Sequence, residues 1–128
     1  MAALSAVRAG VLSALRGAPD LTGLRVLDEP GKAAVPFVQL RDLTASDWGT
    51  KDRAGREVRV GVTVRDMGDL PARAEALGRA AEAALLALPR DLDGWRVASV
   101  VPTRSAMVSE GERRWAALVD VRVRMLED

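Results

Sequence analysis

Residues 57–65 read Glu57-Val58-Arg59-Val60-Gly61-Val62-Thr63-Val64-Arg65, a run in which every second residue is valine. Successive side chains of a β-strand point to opposite faces, so this run predicts a strand with one apolar face and one wet or paired face. The end of the chain repeats the pattern. Trp115, Ala117, Val119, Val121, Val123 and Met125 alternate against Asp120, Arg122 and Arg124, within a strand expected over Arg113 to Leu126. A partner strand is expected from Trp95 to Val108, with the hairpin turn at Ser109-Glu110-Gly111-Glu112. Upstream, Val35 to Leu43 reads as a strand with Pro36 at its beginning or on an edge, because proline cannot donate a ladder hydrogen bond. Leu24 to Leu27 reads as a short extended piece closed by Glu29-Pro30-Gly31. Thr44 to Gly55, rich in Ser, Asp, Gly, Thr and Lys, is expected to be a long hairpin loop.

Two segments change period from two to between three and four. Leu4, Val7, Val11, Leu12 and Leu15 form one stripe of an amphipathic helix that ends near Gly17, with Pro19 beyond. Leu70, Ala74, Leu77, Ala81, Ala84, Leu85 and Leu88 form a second stripe, opened by Asp69 and Pro71 and stopped by Pro89. Short hairpin links between strands, with helices before and between them, predict an α+β fold. The expected form is a mostly antiparallel four- to five-stranded sheet with two helices packed on one face. At 128 residues the chain fits one domain, 1–128, with 48% hydrophobic and 29% charged residues.

Composition excludes several kinds of chemistry. The chain has no histidine, cysteine or tyrosine, which removes the commonest general base, the thiolate nucleophile and the phenolic acid. Without cysteine there is no disulfide framework and no thiolate metal site. Asp42, Asp47 and Asp52 fit neither the spacing nor the glycine of a twelve-residue calcium loop, so no metal is expected. No phosphate-cradling glycine motif follows a predicted strand, so no nucleotide cofactor is expected either. Ser46, Ser99, Ser105 and Ser109 lack a histidine partner, and a serine–lysine pair would have to recruit Lys32 or Lys51 from loops. A hydrolase built on acids alone would rest on Asp42 or Asp47. The formal net charge of +1 gives little field for nucleic acid, and no specific nucleic-acid partner is expected. No segment approaches the roughly 18 apolar residues of a membrane span, and Arg8 interrupts the N-terminal apolar stretch, against a signal peptide.

The three tryptophans have different settings. Trp115 is in phase with an apolar strand face, which favours core packing, and Trp95 follows Asp93-Gly94 at a strand entrance as a half-buried anchor. Trp48 stands in the polar loop, either folded back onto the domain or used in an interface. Arg59, Arg65, Arg122 and Arg124 share the polar strand faces with Glu57 and Asp120. This pattern reads either as a solvated sheet surface laced with ion pairs or as a face that meets a neighbouring subunit.

Val35-Pro36-Phe37-Val38, then Thr44-Ala45-Ser46-Asp47-Trp48-Gly49-Thr50-Lys51, then Gly55-Arg56-Glu57 opening a strand, together resemble the tail-completion or tail-terminator family of long-tailed phages and gene transfer agents. The likeness runs from an N-terminal helix through an Ala-rich helix to a final hairpin; the polar Val64 to Asp69 departs from a more aromatic strand in that family. The resemblance implies a non-enzymatic virion assembly protein without cofactor: a homohexameric ring that caps the tail tube and docks to a head completion or connector protein. It implies assembly in the bacterial cytoplasm and then a place in the neck of the particle. It also implies contact of the irregular loop with the tube or an adjacent subunit through Asp47, Trp48, Lys51, Asp52, Arg53 and Arg56. The competing expectations are a head–tail connector or stopper, and a dimeric ferredoxin-like module that binds a small molecule.

Overall fold

The computed structural model describes residues 2–128. Its elements are helix α1 (Ala3–Gly17), a 3-10 turn (Pro19–Leu21), strands β1 (Arg25–Leu27), β2 (Phe37–Asp47) and β3 (Gly55–Met67), helix α2 (Ala72–Leu86), and strands β4 (Asp91–Leu92), β5 (Trp95–Gly111) and β6 (Arg114–Glu127). The strands make one six-stranded sheet in the order β1-β2-β3-β6-β5-β4. Only β1 and β2 run parallel; the other neighbours are antiparallel. The fold is α+β with both helices on one face, as expected, but the sheet is mixed and has six strands rather than four or five. The extra strand, β4, is two residues long and forms because Asp93 and Gly94 both take positive φ (43° and 88°), the conformation of a tight hairpin turn. Two residues are too few to leave a periodic signal. The element order α-β-β-β-α-β-β-β also differs from the β-α-β-β-α-β of a ferredoxin-like domain.

The valines of β3 do what their spacing demands. Val58, Val60, Val62 and Val64 are fully or almost fully buried and stand opposite Val123, Val121, Val119 and Ala117 of β6. Val38, Leu40 and Leu43 of β2 extend the same face, and the helices cover it with Val7, Val11 and Leu15 of α1 and Ala81 and Leu85 of α2. Each buried Val or Leu contributes roughly 1.5–3 kcal/mol, so this layer dominates the stability of the fold.

Several boundaries move. β2 continues to Asp47, so the loop expected at Thr44 to Gly55 shrinks to Trp48–Ala54; Thr44–Asp47 are polar but pair in full register with Arg56–Arg59. The β5–β6 turn sits at Glu112 and Arg113, not at Ser109–Glu112, and Gly111 and Arg113 carry its positive φ angles. The α2 stripe begins later than its apolar spacing suggests. Pro71 precedes the first helical residue without any side-chain cap, Asp69 instead pairs with Arg113 at 3.1 Å, and Leu70 is 75% exposed. Leu4 of α1 is exposed as well, whereas Leu88 is buried just past the end of α2. Pro36 immediately precedes β2, and its peptide bond with Val35 is cis.

Candidate functional site

The face of the sheet away from the helices holds the charged residues in cross-strand clusters. Opposite residues of neighbouring strands lie side by side, and β3 and β6 place Glu57 against Arg124 and Arg59 against Arg122. Glu57 is the hub. Its Oε1 accepts from Arg124 Nε at 3.0 Å and lies 3.9 Å from Arg122 Nε, and its Oε2 is 3.5 Å from Arg59. Arg124's hydrogen bond and the three nearby positive charges hold the Glu57 carboxyl below its ordinary value, against the opposing effect of desolvation. One carboxylate serves three guanidiniums, so Arg122 Nε is left buried without a hydrogen-bond partner among the described residues.

A second cluster follows along the strand. The register of β2 shifts between Leu40 and Asp42, and the bulged residue is Arg41. Its guanidinium lies across β3, donating to Val62 O at 3.2 Å and Thr63 Oγ1 at 3.0 Å, and to Asp42 and Asp120 on either side. Arg104 approaches the same Asp120 at 3.8 Å. Farther along, Arg65 donates to Gln39 Oε1 and to both oxygens of Glu110. All four arginines singled out on the strands, Arg59, Arg65, Arg122 and Arg124, are on this face. Arg41, Gly61, Arg104 and Asp120 complete the network. Arg41 was illegible as a face residue because the bulge breaks the two-residue period at that point.

The turn at the end of β2 is tied to the Glu57 cluster through Trp48. Trp48 folds back so that Arg124 sits 5.5 Å from its ring centroid, and its backbone N–H donates to Gly55 O at 3.0 Å. Gly49 N–H donates to Asp47 Oδ1 at 3.2 Å and Thr50 N–H to Arg53 O at 2.8 Å, which closes the turn. Asp47 and Arg56 face each other at 3.5 Å, and Lys51, Asp52 and Arg53 are exposed at the tip. Trp48 is therefore half-buried and part of the domain surface, while its neighbours in the loop project into solvent.

At the opposite end of the sheet, on the helix side, Asp66 and Trp115 anchor the start of α2. Arg73 donates to both Asp66 oxygens at 2.6 Å, and Met67 N–H adds a third bond at 2.8 Å. Arg73's bonds hold the Asp66 carboxyl below its ordinary value, outweighing the effect of burial. Trp115 is half-buried and its indole N–H donates to Gly68 O at 3.0 Å, so its polar end has a partner. Among the described residues no group of carboxylates is gathered closely enough to hold a metal ion, and Asp42, Asp47 and Asp52 do not converge. No described helix is long and apolar enough to cross a membrane.

Comparison with known proteins points one way. The family described as "Tail completion protein gp17" matches the chain over residues 9–126. A solved structure titled "Virion of native gene transfer agent (GTA) particle" contains a chain with the same fold. The TM-score is 0.83 at 24% identity, over 98% of this chain and 99% of that one. No curated protein matches the sequence significantly.

Proposed function

Because the chain belongs to the tail completion protein gp17 family, a structural family of phage-type tails, we propose that it is a ring-forming tail terminator. In this reading copies close into a six-membered ring on the end of the tail tube, stop the addition of tube subunits, and offer the opposite side of the ring to a head-side connector protein. The whole chain acts as one unit, assembled in the bacterial cytoplasm and then carried in the neck of the particle. The single observation that carries the proposal is the family match over residues 9–126, to which the fold shared with a chain of a virion particle adds support.

The geometry suits that work. A mixed-charge sheet face and an exposed turn form surfaces for protein contact, and the chain has no histidine, cysteine or tyrosine; we assign it no enzymatic activity. Asp47, Trp48, Lys51, Asp52, Arg53 and Arg56, in the turn and at the strand ends beside it, are assigned to contact with the tube or an adjacent subunit. Arg59, Arg65, Arg122 and Arg124 are assigned to a subunit-facing surface. Native mass spectrometry with and without tube subunits, followed by electron microscopy, tests the reading: a six-fold species and annular particles are expected. A chain that stays monomeric with tube subunits present would sink it.

A further inference from the structure

Both lateral edges of the sheet carry strand without a partner among the described residues. β1 covers β2 only at Phe37–Gln39, so the outer side of Leu40–Asp47 is open. β4 covers β5 only at Trp95 and Arg96, so most of β5 toward Gly111 is open on the other edge. Open edges of this length are templates for pairing with another chain, and proteins block them with bulges and proline. The blocks here are selective. In β5, register shifts fall between Val97 and Ser99, Pro102 and Arg104, and Ser109 and Gly111, which leaves Arg104–Ser109 regular. In β2 the shift falls between Leu40 and Asp42, which leaves Leu43–Asp47 regular.

We propose that Leu43–Ser46 of one copy pairs antiparallel with Arg104–Met107 of a second copy, with Leu43 opposite Met107 and Thr44 opposite Ala106. This rests on the ring reading above and supplies its subunit contact. Strand direction supports it first. Each step from β2 through β3 and β6 to β5 is antiparallel, so the two edge strands run in opposite directions. A copy rotated onto its neighbour therefore brings β2 antiparallel to β5. The contact uses different surfaces of the two copies, the kind that closes into a ring.

Side-chain phase agrees. Leu43 and Ala45 lie on the helix side, opposite Val60 and Val58, and Ser105 and Met107 lie on the helix side opposite Val119 and Ala117. Beside β5 on that side is a groove of about 550 Å³ between the strand edge and α2, bordered by Met107, Ser105 and Glu82. An added strand lays Leu43, half-buried in the single chain, next to Met107 in that groove.

The chain has no cysteine, so a single engineered pair reports the contact. Thr44→Cys with Ala106→Cys in one chain, oxidised under assembly conditions, is expected to give reductant-sensitive multimers up to the closed ring. Mixing the two single variants should give covalent dimers and nothing larger. Rings by native mass without any cross-link would overturn the edge pairing and leave the ring reading standing; a monomer under all conditions would overturn both. If the double variant does not melt cooperatively, hydrogen exchange on the unmodified protein decides. The outward-pointing amides of Arg104–Met107 slow on assembly if the pairing is right, and unchanged exchange there overturns it.

Discussion

Gly61 is the seat of the Arg41 guanidinium: a Cβ at Gly61 would stand 2.9 Å from Arg41 Cζ and 2.9 Å from Asp120 Oδ1. Glycine in a strand interior usually weakens it, and here the missing side chain makes room for an arginine to cross β3. Gly61→Ala pushes the guanidinium off Asp120 and is expected to cost about 1–2 kcal/mol, because charge-assisted bonds are lost. In an Arg41→Ala background the same change should become neutral or stabilising by about 0.5–1 kcal/mol, since only the strand preference remains. A double-mutant cycle on urea midpoints measures the coupling; additive effects would remove the seat from the account.

Leu85 and Leu70 belong to one apolar stripe in the sequence but to different environments in the fold. Leu85, on the sheet-facing side of α2, is fully buried, and Leu70 is 75% exposed ahead of the helix. Leu85→Ala is expected to destabilise by about 2–5 kcal/mol, and Leu70→Ala by no more than about 0.5 kcal/mol. Chemical denaturation of the two variants separates them. Leu77, also in the stripe, is only partly buried and should fall between.

That contrast shows what periodicity carries and what it loses. The valines of β3 and β6 announced a sheet because every second residue obeys one rule, burial on a shared face. Thr44–Asp47 obey a different rule. They are strand because β3 continues beside them and pairs with them, and their composition alone looks like a loop. Arg59, Arg65, Arg122 and Arg124 were legible as face residues from the same alternation. Their bonds to Glu57, Gln39 and Glu110 depend on register between strands far apart in sequence, as does the reach of Arg41 to Asp120. Asp69 shows a third limit: its position suits a helix cap, yet the hairpin end of β5–β6 offers it Arg113.

Trp48 stacks its ring beside Arg124, so a change there loosens the turn and the Glu57 cluster together. Trp48→Ala is expected to cost about 0.5–2 kcal/mol, from a cation–π contact and partial burial, while Trp48→Phe retains most of that stability. If the turn also meets the tube, Trp48→Ala lowers the yield of joined tails by more than its stability loss explains. Melting curves and electron micrographs of the same preparation measure the two effects. Wild-type joining by a fully folded Trp48→Ala protein would leave the residue with packing alone.

Acid should loosen the two ends of the sheet through Glu57 and Asp66. Both carboxyls are held below their ordinary values of 4.5 and 3.8 in the folded chain by arginine hydrogen bonds. A carboxyl depressed by folding binds protons more readily when unfolded, so its contribution to stability is complete above the unfolded value and disappears as pH falls through the folded one. Stability is therefore expected to be flat around neutral pH and to decline as pH drops below about 4.5, with the decline continuing past 3.8. Asp66→Asn cannot accept the paired bonds from Arg73 as a carboxylate does, and should lower neutral stability by about 1–3 kcal/mol. The same variant should lose less than the wild type on acidification, because one of the titrating groups is gone. Urea midpoints of wild type and Asp66→Asn between pH 7 and pH 3 test the sign; parallel pH curves would show that Asp66 contributes nothing through its charge.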